Sequence, residues 1–190
     1  MRITGGEARS IVLKVPRNEE VRPAMDCMRE QAFNRIGARI QQAAVWDCFA
    51  GSGAYGLEAL SRGARFCTFF EKSVTVCENL QHNANAVCKS AQREISECVK
   101  IVSHDLFSID FSPFLTPDFI FFDPPYRFWE KQKIEQLLLR LAEICPQATL
   151  VAEFPSEAIK VLSSSWKPIR PFHVSKNLHE PCIECFRSVF

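Results

Sequence analysis

The sequence predicts an α/β fold built on a mostly parallel sheet covered by helices on both faces, and three observations carry that reading. Short apolar runs at 43–49, 65–70, 99–102, 119–122 and 149–152 alternate with segments of helical periodicity. The first run passes through Gly51-Ser52-Gly53 into good helix formers, a strand–turn–helix junction. At or near the ends of four successive runs stand Asp47, Glu71, Asp105 and Asp123, along the sheet edge where such folds bind ligands.

The elements follow in order. Thr4-Gly5-Gly6-Glu7 is a turn signal before the apolar Ile11, Val12, Leu13 and Val15, which predicts a small β-hairpin over 1–15. Pro23 stands in the first turn of a helix that buries Met25, Met28, Ala32, Phe33 and Ile36 and closes at Gly37. The run 43–49 is mostly apolar, as a strand buried on both faces should be. A helix follows from Ala54 to Leu60, with Gly63 as a left-handed C-cap. The turn between them is expected to leave free N–H groups at a positive helix end, facing an anionic or hydroxyl-rich ligand. Ser73 is the N-cap of a polar helix running through Asn79 and Asn85. A further helix from Glu130 to Ile144 buries Ile134, Leu137, Leu138, Leu141 and Ile144. Residues 169–174 and 182–189 read as two closing strands.

A chain of 190 residues, 47% hydrophobic and 24% charged, suits a single α/β domain with a real core and is too short for two. The formal net charge of +1 gives no strong polyanion signal, but residues 1–40 hold eight Lys/Arg against five Asp/Glu. They read as a basic extension on a core of 41–190, with Arg2, Arg9, Arg22 and Arg29 as candidate RNA phosphate contacts; a solvated helix face has the same composition. No apolar run is long enough for a membrane span and no signal-peptide pattern opens the chain, so a cytoplasmic protein is expected. The nine scattered cysteines read as reduced core thiols. Cys182 and Cys185 have CxxC spacing with no second pair, so no metal site is expected.

Gly51, Gly53 and Gly56 satisfy GxGxxG, and Glu71 lies about 20 residues on, where a ribose contact is expected. That pattern fits a nicotinamide dinucleotide and S-adenosylmethionine (SAM) equally well. Asp123-Pro124-Pro125-Tyr126 separates them. Hydride transfer gives no reason for a carboxylate, two rigid prolines and an aromatic in succession, whereas methyl transfer to a planar exocyclic amine does. Such a nitrogen is a poor nucleophile because its lone pair is delocalised into the ring. Asp123 and a carbonyl of the Pro-Pro segment can accept its two N–H bonds, the prolines stiffen that carbonyl, and Tyr126 can stack on the base.

With those residues in view, Asp47-Cys48-Phe49-Ala50-Gly51-Ser52-Gly53 together with Asp123-Pro124-Pro125-Tyr126 resembles a Rossmann-like class I SAM-dependent methyltransferase, whose last strand runs antiparallel. Residues 1–6, Arg22-Pro23, Arg29-Glu30-Gln31-Ala32-Phe33-Asn34 and 56–64 resemble the RsmD family more narrowly. These are bacterial enzymes that methylate N2 of a guanine in small-subunit (16S) ribosomal RNA. The resemblance implies SAM binding by Asp47, Phe49, Gly51, Ser52, Gly53, Glu71, Lys72, Asp105 and Leu106. Within that set, Glu71 would meet the ribose and Asp105 would lie near the adenine. It also implies catalysis by Asp123, Pro124, Pro125 and Tyr126, with 16S rRNA or a small-subunit particle as partner. The segment Ser175-Lys176-Asn177-Leu178-His179 departs from the family's usual Lys- and Gly-bearing stretch.

Methyltransferases with Asp/Asn-Pro-Pro-Tyr that act on DNA adenine N6 or on a protein glutamine amide offer the same planar amine and form the nearest alternative. A dehydrogenase is more distant. A non-catalytic RNA-binding assembly protein is the alternative from another class.

Overall fold

The computed structural model describes residues 1–15, 23–130, 132–170 and 181–190, with nothing described for the side chains of 23–25. Helix α1 spans Pro23–Ile36, and a 3-10 turn over Gly37–Ile40 leads into β1, Ala44–Cys48. There follow α2 (Ala54–Ser61), β2 (Phe66–Glu71), α3 (Val74–Ser90), the short α4 (Ile95–Cys98) and β3 (Val99–Ser103). Next come β4 (Phe119–Phe122), α5 (Gln132–Ile144), β5 (Thr149–Pro155), the short α6 (Ile159–Leu162), β6 (Trp166–Pro168) and β7 (Pro181–Ser188).

The seven strands form one sheet in the order β3-β2-β1-β4-β5-β7-β6. β1 to β5 are parallel, and β7 runs antiparallel between β5 and β6. The order reverses between β1 and β4, so the crevice beyond their carboxyl ends is the place for a ligand.

Side chains alternate across the sheet and divide the core in two. Val45, Phe69, Phe121 and Val151 face α1, α2 and α3, packing with Phe33, Ile36, Leu57, Leu60, Leu80 and Val87. Trp46, Phe70, Ile120, Phe122 and Ala152 face the other way, onto Ile134, Leu137, Leu138 and Leu141 of α5. No helix covers the β3–β4 crossover. Its place is taken by Leu106, Ile109, Phe111 and Phe114 from the connecting loop, with Phe111 stacked on Trp46.

The hairpin expected over 1–15 forms around an antiparallel bridge between Arg2 and Val12: Ile3 N–H donates to the Ile11 carbonyl, Ser10 N–H to the Ile3 carbonyl and Leu13 N–H to the Met1 carbonyl. Helix α2 anchors it. Glu7 N–H donates to the Ser61 carbonyl and Ala8 N–H to the Ser61 hydroxyl, while Thr4 donates its N–H and its hydroxyl to Glu58. Ile3, Ala8 and Leu13 thereby join the first core cluster.

A described strand lies at Trp166–Pro168, directly before the first closing strand expected over 169–174, and Ile169 N–H donates to the Cys185 carbonyl of β7. Residues 171–174, and the stretch 175–179 that departs from the family pattern, are outside the described residues. The helix C-caps agree with the sequence: Gly37 and Gly63 have φ of 59° and 102°, the left-handed region that glycine enters freely. Ser73 Oγ accepts from Val76 N–H, as an N-cap should. Cys182 and Cys185 sit three apart on β7 and join opposite core clusters, so they cannot converge on one ion. Among the described residues no cluster of metal-binding side chains occurs, and no helix is long and apolar enough to cross a membrane.

Candidate active site

A cavity of about 930 Å³ opens beyond the carboxyl ends of β2, β1, β4 and β5. It is within the range of small-molecule sites. Asp47, Glu71, Asp105 and Asp123 all line it, as the strand-end pattern predicts, and so does a fifth carboxyl, Glu153 at the end of β5.

The glycine turn is built by its neighbours' carboxylates. Phe49 leaves β1 with φ 62°, and Gly51 and Gly53 follow at 52° and 82°. Gly51 N–H donates to Glu71 Oε2 at 3.2 Å, and Glu71 Oε1 accepts Ser73 N–H at 2.8 Å. Asp47 Oδ2 accepts Gly56 N–H at 2.8 Å from the first turn of α2. The free donors expected at this helix end are therefore partly occupied. Two of the protein's own carboxyl groups stand where an anionic ligand would have stood.

Burial in the β1 interior pushes the Asp47 carboxyl up to about 8, the Gly56 hydrogen bond opposing and the Glu71 charge reinforcing the rise. Asp47 is thus largely protonated at neutral pH.

Gly51 and Ser52 line the cavity but Gly53 does not. A Cβ at Gly53 would overlap Leu80 Cδ1 and press on Leu57, so this glycine allows α2 and α3 to close together. Gly56 does the same between α2 and the sheet, where a Cβ would overlap the Phe69 ring and the Cys67 sulfur. Of the two predicted glycine contacts, one belongs to the cavity and the other to packing.

One wall is aromatic. The Phe49 ring meets Phe107, Phe122 and Phe128 with centroids 5.8, 5.5 and 6.1 Å away, and Leu106 is buried beside them. Lys72 Nζ lies 5.9 Å from the Phe128 ring centroid. Asp105 Oδ1 accepts Phe107 N–H at 3.0 Å and pins this wall.

Asp123, Pro124, Pro125 and Tyr126 leave β4 and enter a 3-10 turn over Tyr126–Phe128, which carries Phe128 into that aromatic wall. Tyr126 is 39% exposed. Burial of the rest of its ring, with the charges of Glu153 and Asp123, raises its phenol well above the ordinary value, so it stays a neutral donor. Glu153 Oε2 accepts the Tyr55 hydroxyl at 2.7 Å, and the Tyr55 ring stacks on Phe121.

The basic extension divides. Arg2 and Arg9 are exposed. Arg29 is 1% exposed, and its guanidinium donates to Glu58, to Asp26 and to the Arg2 carbonyl, so burial withdraws it from a surface phosphate. Arg22 lies outside the described residues.

A family model described as "Conserved hypothetical protein 95" matches residues 1–174. The chain belongs to the RsmD family. A relative from Haemophilus influenzae named "Ribosomal RNA small subunit methyltransferase D" is 33% identical over 87% of this chain and 84% of its own length. The Escherichia coli K12 protein of the same name is 37% identical over 67% of this chain and 61% of its length. The solved structure titled "Putative methyltransferase yhhF from Escherichia coli" superposes with a TM-score of 0.76 at 26% identity, covering 99% of this chain and 97% of that one.

Within this RsmD-family chain, sequence reasoning missed Glu153. Its signal was there to read, because the run 149–152 is followed by a carboxylate as the four earlier strands are.

Proposed function

We propose that this chain transfers a methyl group from SAM to the exocyclic N2 amine of a guanine in 16S ribosomal RNA. The observation that carries this reading is the ring of five carboxyl groups around one cavity, next to Asp123-Pro124-Pro125-Tyr126. With Glu71 on Gly51 and Asp47 on Gly56, the turn suits a ligand rich in hydroxyl groups. A pyrophosphate, which a dinucleotide would place there, meets N–H groups already taken by the protein's own carboxyl groups. The names of the relatives agree with the reading.

The residues present fit SAM. Glu71 takes the ribose hydroxyls while holding the turn, with Lys72 beside it. Asp47, Gly51 and Ser52 border the amino-acid end, and Phe49, Asp105 and Leu106 enclose the adenine against the aromatic wall. The donor supplies an electrophilic methyl group on a sulfonium.

The chain's own residues do the rest. Tyr126 stacks on a base swung out of its helix, because an amine in a paired stack is beyond reach of a strand-end carboxylate. Asp123 and a Pro-Pro carbonyl accept the amine hydrogens and aim its lone pair at the methyl group. Asp123 also offsets the positive charge that grows on nitrogen as the bond forms, a contribution made mainly in the transition state. Residues 1–40 serve as an RNA-contacting extension of the 41–190 core within one domain, through Arg2, Arg9 and Arg22. A ribosomal substrate places the protein in the cytoplasm.

The test is labelled SAM with total RNA and ribosomal subunits from a strain lacking the enzyme, followed by nucleoside analysis. N2-methylguanosine in small-subunit RNA is expected. N6-methyladenosine, or label in protein, would transfer the chain to the other amine methyltransferases.

A further inference from the structure

Glu153 is 8% exposed, lines the cavity, and is used by neither the glycine turn nor the Asp-Pro-Pro-Tyr turn. The sheet register fixes its place. Phe122 of β4 pairs with Ala152 of β5, and Asp123 and Glu153 are the next residues on these parallel neighbours. Adjacent strands lie about 4.8 Å apart, and successive side chains alternate faces. The two carboxylates therefore leave the same face of the sheet, the face of Phe121 and Val151, side by side at the cavity floor.

Tyr55 holds one oxygen of Glu153 at 2.7 Å, which fixes the plane of the carboxylate. Among the described residues only Tyr55 hydrogen-bonds its carboxylate, so its remaining acceptor positions are turned to the cavity that it lines. Burial raises its proton affinity, while the Tyr55 hydrogen bond and the Arg29 charge favour the ionised form. A buried carboxylate with acceptor capacity left over is costly unless a ligand's donors complete it.

Given the guanine reading above, on which this step rests, we propose that Glu153 reads the target base, accepting the hydrogen bond from the ring N1–H of guanine. The two hydrogens of the adjacent amine stay with Asp123 and the Pro-Pro carbonyl. Guanine presents a donor at N1 and adenine presents an acceptor there, so one carboxylate favours the first and repels the second. Tyr55 is the positioning residue that holds Glu153 in the plane of the base.

The experiment is single-turnover methylation of a target RNA carrying either guanine or 2-aminopurine at the modified position. 2-Aminopurine keeps the N2 amine but replaces N1–H by an acceptor. The wild-type enzyme is expected to prefer guanine by ~10–100-fold, because the buried carboxylate gains a donor at N1 of guanine and faces a lone pair at N1 of 2-aminopurine. Glu153→Gln keeps the shape and an acceptor for Tyr55 and places an N–H₂ opposite N1. It should lose most of that preference or invert it, with SAM affinity and melting temperature unchanged.

Equal wild-type rates on the two RNAs overturn the assignment without recourse to any variant. So does a Glu153→Gln enzyme that is slower on both by the same factor, since a merely structural role would do that. A variant that does not fold leaves the wild-type comparison to decide. A wild-type control that makes no N2-methylguanosine marks failure of the functional reading itself and takes the Glu153 assignment with it.

Discussion

Arg29 Nε donates to Glu58 Oε2 at 3.2 Å in a pair that solvent barely reaches, with side chains 2% and 0% exposed. Glu58 also receives Arg62 at 2.7 Å and both donors of Thr4, so this one carboxylate joins α1, α2 and the N-terminal segment. Removing Arg29 takes one of two cationic partners from the buried Glu58, which keeps Arg62 and Thr4. Arg29→Met should cost ~1.5–3 kcal/mol of unfolding free energy, the range for a hydrogen bond to a charged group, read from urea midpoints. Added salt should change the loss little, because buried pairs are weakly screened. A midpoint unchanged by the substitution would show that the pair carries no weight.

Asp47 makes stability depend on pH in an uncommon direction. Its carboxyl is raised from 3.8 to about 8 by burial, so between these values the folded chain keeps a proton that the unfolded chain has released. Stability falls as pH rises through that window, by at most about 1.4 kcal/mol per unit for this group, and the group adds no slope outside it. Asp47→Asn keeps an acceptor for Gly56 N–H and cannot ionise. The variant should therefore gain on the parent between pH 5 and pH 8 in urea melts, whereas parallel curves would remove Asp47 as the titrating group.

Gly53→Val and Glu71→Ala should separate packing from binding. The first puts a branched residue at φ 82° against Leu80 and Leu57, and it should lower the melting temperature sharply. Glu71→Ala should stay folded and weaken SAM by roughly 1.5–3 kcal/mol in calorimetry, the range for a hydrogen bond to a charged group. Full SAM affinity in Glu71→Ala would displace the ribose assignment.

Asp123→Ala should lower single-turnover methylation by roughly 10²–10³-fold while SAM still binds, because its contribution appears as charge develops. Tyr126→Ala should lose about 1–3 kcal/mol of productive RNA binding, the range for stacking of one base. Tyr126→Phe should be mild. Near-normal rates in Asp123→Ala would take it out of the mechanism.

Replacing the exposed Arg2 and Arg9 by Ala should flatten the salt dependence of RNA binding, by ~0.7–0.9 in the logarithmic slope for each phosphate that is no longer neutralised. SAM affinity should not change. An unaltered slope would make these arginines a solvated face.

The sheet was readable because β1, β4 and β5 are apolar runs buried on both faces, which leaves little ambiguity of type. The glycine turn and the strand-end carboxylates were readable for the same reason, since once strands are placed their ends are placed. Arg29 was not readable. Its partner Glu58 lies 29 positions away on another helix, and an arginine at helical spacing looks alike whether it meets water or a buried acid. Gly51 and Gly53 share one motif, and only the approach of Leu80 tells the cavity glycine from the packing one. The N-terminal hairpin was readable from its turn, but its anchoring to Glu58 and Ser61 of α2 is a tertiary choice that local pattern does not record. Glu153 went unread because its strand was ended at residue 152, three residues short of Pro155.

Asp118 stands at the opposite end of the sheet. Its carboxylate accepts Ala44 N–H at 2.7 Å, its own N–H donates to the Ala44 carbonyl, and its carbonyl accepts Thr149 N–H at 2.9 Å. One residue thus sets the starting line for β1, β4 and β5 together. Asp123 lies five residues further on, about 16 Å at strand rise. The spacing of the carboxylates at the far end is inherited from that starting line as an offset carried along rigid rods. A chain that slips at Asp118 would misalign the reacting groups while leaving every one of them intact, so activity here has a distant hinge-pin that no ligand ever touches.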